Sequence, residues 1–254
     1  MPEVDLDNEF VASSPQMQEV KKLISLVRGI NVNTVIMGDE GVGKSLVAKL
    51  IIPNAIVVHG DKPEDVLKAL KNFDEIIIED FEKLPNSDSL SVDGKKIVAT
   101  SRKRLKDSTL DKIFGIKIEI VSLRERREDI AALVEYFLQK AKKELHVEEN
   151  IDSSAITQDI TANCHSLKRS VYQALLCGSV SKEQLGSIME EYFYTHLGES
   201  DDNYKIFLDL FDSSIINANH RKFKSQLMMS YKMGINRNTL RKKILQLGKK
   251  LSDE

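Results

Sequence analysis

Five short runs of β-type residues, most of them with adjacent apolar positions, occur in the first half of the chain, with helical patterns between them. The runs cover residues 34–37, 55–59, 75–79, 96–100 and 116–120. Continuous rather than alternating apolar residues are typical of strands that are buried on both faces of a parallel sheet. Ser14-Pro15 precedes apolar residues at helical spacing and predicts a helix start. The pattern predicts an α/β domain over residues 1–122.

The second half of the chain carries only helical patterns. The predicted helices cover residues 127–145, 166–176, 182–197, 204–216, 222–233 and 237–247, and a polar stretch at residues 198–203 indicates a linker. We therefore predict three parts: an α/β subdomain at 1–122, a helical lid and linker at 123–200, and an all-helical domain at 201–254.

A glycine-rich stretch follows the first predicted strand. Residues 38–45 read G-D-E-G-V-G-K-S, which is the P-loop pattern, with a strand-like run before it and a helical pattern after it. Backbone N–H groups of this motif wrap phosphates, so we predict an ATP or ADP site. Lys44 is expected to reach the β- and γ-phosphates, and the Ser45 hydroxyl to ligate Mg²⁺. The motif supplies the predicted nucleotide-binding residues Gly38, Asp39, Glu40, Gly41, Val42, Gly43, Lys44, Ser45 and Leu46.

Another buried run ends in two carboxylates, Glu79 and Asp80. In P-loop proteins an Asp at this place holds Mg²⁺, and the Glu after it activates the attacking water. Here the longer side chain comes first, and a misplacement of about 1 Å can cost about a hundredfold in rate. We interpret both residues as catalytic candidates and Glu79 as a metal ligand. Two solvated carboxylates at a strand end are the alternative.

Two predicted helices near the C-terminus flank a glycine. The first is expected to pack through its apolar residues Leu227, Met228, Tyr231 and Met233. Gly234 can turn the chain in the left-handed conformation, and Asn236 is a favourable N-cap for the second helix. The second helix is expected to bury Leu240, Ile244 and Leu247. This arrangement predicts a helix-turn-helix, with an ordinary amphipathic terminal helix as the alternative.

Positive charge is concentrated in the same region. Ten of the 37 Lys and Arg residues lie between residues 219 and 250, and none of the 39 Asp and Glu residues does, although the net charge of the chain is only −2. A basic stretch on an otherwise acidic chain indicates a polyanionic partner, unless it is merely a solvated basic helix.

Composition excludes several other classes of protein. Cys164 and Cys177 are the only cysteines and form no C-x-x-C pair, so neither a disulfide framework nor a zinc site is predicted. No apolar run approaches the roughly 18 residues of a membrane span, and the acidic N-terminal stretch lacks the apolar core of a signal peptide. We therefore expect a cytoplasmic protein without a membrane partner.

These motifs, in this order, resemble those of the bacterial enhancer-binding proteins, the NtrC-like AAA+ activators of sigma-54 RNA polymerase. Ser14-Pro15-Gln16-Met17 resembles the family's N-terminal segment, and residues 123–130 match its L-R-E-R-R-E-D-I motif without change. Residues 234–243 are similar to a Fis-type recognition segment. The resemblance implies an AAA+-like P-loop domain, a helical lid and a Fis-type helix-turn-helix domain through which two chains pair.

The resemblance also implies which residues meet DNA. Side chains at the start of the second helix are expected to reach base edges, while lysines contact phosphates. The predicted DNA-binding residues are Lys224, Asn236, Arg237, Asn238, Thr239, Arg241 and Lys242.

Several positions that the family uses for hydrolysis depart from its pattern. Ser101 stands where the sensor I Asn is expected, Lys106 and Lys112 where arginine fingers are expected, and Lys168 where the sensor II Arg would contact nucleotide. Lysine cannot reproduce the planar guanidinium fork. Lys44 and Asp80 lie only 36 positions apart, too few for the G-A-F-T-G-A loop that contacts sigma-54. These departures imply weak or absent ATPase activity.

The preferred interpretation is a sequence-specific transcriptional regulator that binds double-stranded DNA as a homodimer. Its AAA+-like domain is expected to bind ATP or ADP with Mg²⁺, to hydrolyse poorly and not to activate sigma-54. One alternative is an active ATP-dependent sigma-54 activator, and another is an architectural DNA-bending protein. A contact with RNA polymerase, the operator and the sign of regulation are left open by the sequence.

Overall fold

A five-stranded sheet organises the first half of the chain in a computed structural model that describes residues 10–148, 151–153, 156–198 and 201–248. The strands are β1 (Thr34–Met37), β2 (Ile56–His59), β3 (Glu75–Glu79), β4 (Lys96–Ser101) and β5 (Ile116–Glu119). Their order is β2-β3-β4-β1-β5 and every pairing is parallel, with Thr34 opposite both Val98 and Ile116. The predicted parallel sheet is confirmed, and each predicted strand ends within one residue of the observed one.

Helices cover both faces of the sheet. They are α1 (Pro15–Arg28), α2 (Lys44–Ile51), α3 (Pro63–Asn72) and α4 (Asp107–Ile113). Ile36 and Ile77 pack with residues of α1 and α2, whereas Val35 and Ile76 pack with residues of α3 and α4 on the other side. Successive strand residues point to opposite faces, so continuous apolar runs are needed where both faces are covered.

A separate pair of helices follows the sheet. These are α5 (Glu128–Leu145) and α6 (Asn163–Ser179), which bury Leu133, Phe137, Leu167 and Val171 between them. Helix α6 begins three residues before its predicted start. The Ser166 hydroxyl accepts the backbone N–H of Ala162, the residue before the helix, at 2.9 Å and so stabilises the additional first turn.

The chain divides into two compact units at the boundary between Ser179 and Val180. The second unit contains α7 (Lys182–His196), α8 (Asn203–Phe223), α9 (Gln226–Met233) and α10 (Arg237–Gln246). Its core consists of Ile216, Met229, Leu240 and Ile244. The three-part division at residues 122 and 200 stays a prediction.

Two expectations about the second unit were wrong. Helix α8 continues to Phe223, and the helix predicted from residue 222 begins only at Gln226. On α9, Met229 is the buried apolar residue, whereas Leu227 and Tyr231 are 49% and 77% exposed. A helix of eight residues is too short for apolar spacing to identify the face that its neighbours cover.

Candidate functional site

The P-loop lies between the end of β1 and the start of α2, and its three glycines have different structural roles. Gly38, Gly41 and Gly43 have φ angles of 150°, 76° and 109°, which side chains other than hydrogen disfavour. A Cβ on Gly38 would lie 2.4 Å from the carbonyl oxygen of Ile120, and one on Gly41 would lie 2.5 Å from that of Ala162. A Cβ on Gly43 would meet nothing within 4 Å. Close backbone packing therefore requires the first two glycines, while the third faces open space.

That open space belongs to a cavity of about 490 Å³ in the first unit. One end is polar and the other is apolar. The polar wall comes from the P-loop and the ends of the strands, and includes Lys44, Ser45, His59, Glu79, Asp80, Thr100 and Arg102. The apolar wall comes from the N-terminal segment and from α5, and includes Phe10, Val11, Met17, Leu133, Tyr136 and Phe137. A cavity with a few convergent polar groups beside apolar side chains has the form of a small-molecule site.

Lys44 holds the P-loop in its curved shape. Its Nζ donates hydrogen bonds to the carbonyl oxygens of Gly38 at 2.8 Å and Asp39 at 2.7 Å. Burial lowers the pKa of Lys44, and the nearby positive charge of Arg102 lowers it further. The amine thus lies at the concave side of the loop, with Ser45 exposed beside it on the cavity wall.

The two predicted carboxylates reach the same cavity, and both have cationic or ionisable neighbours. Asp80 accepts a hydrogen bond from Lys83 Nζ at 2.7 Å and another from Arg102 Nε at 3.3 Å. The hydrogen bond from Lys83 lowers the pKa of Asp80, and the charge of Arg102 acts in the same direction. Glu79 Oε2 lies 3.7 Å from His59 Nδ1. The structure therefore brings Glu79 and Asp80 to Lys44 and Ser45.

The end of β4 contributes Thr100 and Arg102, which no sequence motif singles out, beside the expected Ser101. Ser101, which the resemblance predicts to stand at the sensor I position, is fully buried, and its hydroxyl donates to the Lys103 carbonyl oxygen at 2.6 Å. Its neighbours Thr100 and Arg102 line the cavity instead. Strand alternation accounts for this, since Ser101 and its neighbours point to opposite sides. Arg102 could have been identified from the sequence as a cation directly after a predicted central strand.

The α5–α6 region binds the P-loop through three consecutive carbonyl oxygens. Asn163 Nδ2 donates to Glu40 O at 2.8 Å, the Cys164 N–H donates to Gly41 O at 3.0 Å, and Arg126 Nη2 donates to Val42 O at 2.8 Å. These contacts hold the loop against the N-terminus of α6 and explain the role of Arg126 in the L-R-E-R-R-E-D-I motif.

Lys168 lies on α6 and also lines the cavity. Its Nζ lies 4.9 Å from the centroid of the Tyr172 ring, within the range of a cation–π interaction. Lys106 and Lys112 are the two lysines expected at the arginine-finger positions. Lys106 lies in the loop after β4, directly before α4. Lys112 lies on α4, and its Nζ donates a hydrogen bond to the Asp88 carbonyl oxygen.

In the second unit, α9 and α10 are joined by a turn whose local geometry follows the sequence prediction. Gly234 ends α9 with a φ of 65°, and Asn236 Oδ1 caps α10 by accepting the Asn238 N–H at 2.8 Å. Helix α10 buries Leu240 and Ile244 as predicted. The expected glycine turn and N-cap are confirmed.

All of the predicted DNA-binding residues are exposed: Lys224, Asn236, Arg237, Asn238, Thr239, Arg241 and Lys242. Six of them lie at the start and on the outer side of α10, and Lys224 ends α8 in the left-handed conformation. Lys243 differs, because its Nζ bonds to Asp212 and ties α10 to α8. Lys249 and Lys250, which contribute to the basic stretch, lie outside the described residues.

The parallel sheet with a P-loop at the end of β1, covered by helices on both faces and followed by α5 and α6, defines an AAA+-like α/β fold. Residues 10–61 match the Sigma-54 interaction domain. NtrX from Brucella abortus in complex with ATP has a similar structure, with a TM-score of 0.58 and 18% identity over 94% of this chain and 70% of that chain.

Two curated regulators show the relationship in sequence. The chain is 22% identical to the anaerobic nitric oxide reductase transcription regulator NorR of Citrobacter koseri, over 69% of this chain and 47% of that protein. It is 25% identical to the DNA-binding transcriptional regulator NtrC of Proteus hauseri, over 56% of this chain and 42% of that protein. The chain thus spans about half the length of the curated relatives it matches. The resemblance to the enhancer-binding proteins is confirmed at this level.

Within residues 10–148, 151–153, 156–198 and 201–248, no helix is both long enough and apolar enough to cross a membrane.

Proposed function

We propose that this chain is a sequence-specific DNA-binding transcriptional regulator whose AAA+-like domain binds ATP or ADP with Mg²⁺, hydrolyses it poorly and does not activate sigma-54. The observation that carries this proposal is the arrangement of α10. Leu240 and Ile244 are buried, while Arg237, Arg241 and Lys242 are exposed on the other side. A helix with this division can place cations in a major groove while its apolar side stays on the domain core.

The first unit fits a nucleotide. Gly43 faces the cavity without a side chain in the way, Lys44 lies at its polar end, and Ser45 is exposed on the wall. We assign the phosphates to Gly38–Ser45 and Leu46, Mg²⁺ to Ser45 and Glu79, and a further phosphate contact to Lys168. Mg²⁺ in such a site neutralises charge on the phosphates.

Poor hydrolysis follows from the surroundings of the carboxylates. Asp80 already bonds to Lys83 and Arg102, which makes it a weak general base because its pKa is lowered. The length order of Glu79 and Asp80 is the reverse of the usual one. Lys106 and Lys112 cannot act as planar forks on a neighbouring site. We therefore expect turnover far below about 1 per second, the lower end of typical enzymes.

Lack of sigma-54 activation follows from the connection between α2 and β3. Residues 52–74 are occupied by β2, α3 and short turns, and α3 has only ten residues. This connection has no extended loop that could carry the contact motif of the related activators.

Pairing of two chains is proposed for the second unit because α8 exposes large apolar side chains. Ile206, Leu210 and Phe211 are 54%, 44% and 48% exposed. Apolar area of this kind on one helix is typical of an interaction surface. A second copy of α8 is the occupant that we propose.

The DNA-binding part is tested on the full chain. A selection from random duplexes, followed by titrations at several salt concentrations, should return a preferred sequence. Arg241→Ala should cost about 1–3 kcal/mol and blunt the preference if it reads a base. Lys224→Ala should weaken all sequences alike and lower the log–log salt slope by about 0.9 if it contacts one phosphate. The matched control is Lys182→Ala, an exposed lysine of α7 outside the basic stretch.

The same titrations separate the alternatives. Binding without sequence preference, and equal behaviour of the Arg241 and Lys224 variants, would favour an architectural DNA-bending protein. Absence of DNA binding by the wild-type chain would refute the proposed regulator.

The nucleotide part is tested by calorimetry with Mg-ATP and Mg-ADP, with turnover measured in parallel. Lys44→Ala should abolish or strongly weaken binding, whereas Lys49→Ala, an exposed lysine on the same helix, should not. Rapid ATP turnover, together with open-complex formation by sigma-54 polymerase, would establish the active-ATPase alternative instead.

A further inference from the structure

Arg102 lies at the polar end of the cavity and connects two carboxylates. Its Nη1 lies 2.6 Å from Glu40 Oε2 and its Nε lies 3.3 Å from Asp80 Oδ1. Glu40 belongs to the P-loop, and Asp80 follows the strand that ends at the cavity. The guanidinium therefore bridges the phosphate-binding loop and the acidic turn.

Arg102 and Lys44 are anchored on the same short stretch of the loop. Lys44 Nζ bonds to the carbonyl oxygens of Gly38 and Asp39, and Arg102 bonds to the side chain of the next residue, Glu40. The two positive charges repel each other enough for Arg102 to contribute to the lowered pKa of Lys44. In a P-loop the lysine reaches the β- and γ-phosphates. A second cation beside it adds attraction that grows with the charge of the phosphate chain.

The partners of Arg102 can be exchanged at little cost. The side chains of Arg102 and Glu40 are 44% and 59% exposed, and ion pairs this open to water contribute little to stability. The backbone of Arg102 is held, because its N–H donates to Glu82 Oε1 at 3.1 Å. The guanidinium can thus change partner while the residue keeps its position. A forked guanidinium binds phosphate oxygens more specifically than an ammonium does.

Two neighbouring cations do not share these features. Lys168 lies over the ring of Tyr172. Arg104 pairs with Asp107 at 3.3 Å, its side chain is 81% exposed, and it is not among the residues that line the cavity.

We propose that Arg102 is the residue by which this site distinguishes a nucleoside triphosphate from a diphosphate. On binding a triphosphate, the guanidinium leaves Glu40 and bonds to the terminal phosphate of the same chain's nucleotide. This inference rests on the proposed nucleotide binding. The contact with the terminal phosphate is thus made by a cation of the same subunit. Lys106 and Lys112 are poorly suited to make this contact from a neighbouring subunit.

The test measures the ratio of two affinities in the full chain. Calorimetry with Mg-ADP and with Mg-AMPPNP, a triphosphate that resists cleavage between its last two phosphates, supplies the two dissociation constants. Arg102→Ala should weaken AMPPNP binding about tenfold or more, the usual worth of a hydrogen bond to a charged group, and change ADP binding by less than about threefold. Arg102→Lys should fall between Arg102→Ala and the wild type. Arg104→Ala, which removes the same charge two residues away, should leave both constants unchanged.

A second comparison separates direct contact from simple neutralisation of Glu40. If Arg102 binds the phosphate itself, the double variant Glu40→Gln/Arg102→Ala should still lack the preference for the triphosphate. Restoration of the wild-type ratio in the double variant would overturn the proposal, because Arg102 would then only cancel a carboxylate. An unchanged ratio in Arg102→Ala would overturn it as well while leaving nucleotide binding intact. If the wild-type chain binds neither nucleotide, the proposed nucleotide function and this inference fall together.

Discussion

Removal of the Asp129 carboxylate should strongly destabilise the first unit. Asp129 is fully buried at the start of α5. Its Oδ1 accepts the backbone N–H groups of Ser13 and Ser14, each at 2.7 Å, and its Oδ2 accepts the Ser14 hydroxyl at 2.8 Å. The buried Arg126 lies 3.6 Å from the same carboxylate. One side chain therefore anchors the segment before α1 to the start of α5.

The size of the effect follows from what the truncation leaves behind. Asp129→Ala leaves two backbone donors and a buried guanidinium without this acceptor, and the loss of one partner of a buried ion pair costs about 3–5 kcal/mol. Asp129→Asn keeps one oxygen acceptor and loses the charge, so we expect a smaller loss of about 1–3 kcal/mol. Both values are large against the roughly 5–15 kcal/mol that stabilises a typical domain.

Urea unfolding measures these losses. Far-ultraviolet circular dichroism is the signal to monitor, because the chain contains no tryptophan for fluorescence. The two compact units are expected to unfold in separate transitions, and only the transition of the first unit should shift. The matched control is Glu128→Ala, the exposed carboxylate next to Asp129, which should change stability by less than about 0.5 kcal/mol. Equal midpoints for Asp129→Ala and Glu128→Ala would refute the anchoring role.

Three further predictions concern single side chains. Alkylation at neutral pH should label the exposed Cys177 before Cys164, because burial raises the pKa of the Cys164 thiol, and Mg-ADP should slow the labelling of Cys164 further, as peptide mass spectrometry can show. The hydrogen bond from Lys83 lowers the pKa of Asp80 below its ordinary 3.8. The ionised Asp80 therefore stabilises the fold at neutral pH, and this stabilisation is lost as the pH falls through the lowered pKa. The unfolding free energies of the wild type and Asp80→Asn should therefore differ at pH 7 and converge in acid; a constant difference would contradict this. Lys243→Ala should lower the stability of the second unit by up to about 1 kcal/mol, because Lys243 bonds to Asp212, and should affect DNA binding less than Lys242→Ala does.

The sequence by itself determined the elements whose causes are local. Continuous apolar runs predicted β1 and β3, which are buried on both faces of the sheet, whereas β5 at its edge alternates Ile with Lys and Glu and is partly exposed. The P-loop pattern predicted the loop between β1 and α2, and Gly234 and Asn236 predicted the turn before α10. In each case the cause lies within a few residues of its effect, in backbone conformation or in a cap.

The tertiary structure alone decided which side chains meet at the candidate site. Arg102 and Glu40 are separated by 62 positions and Asn163 and Glu40 by 123, so no local pattern links them. The inward orientation of Ser101 and the choice of Met229 as the buried residue of α9 also depend on which neighbours pack there. Local propensity specifies a strand or a helix, but a contact between distant residues exists only once the packed elements have fixed their relative positions. The P-loop could therefore be predicted from the sequence, whereas the contacts of the neighbouring Arg102 and the anchoring of the loop to α6 could not.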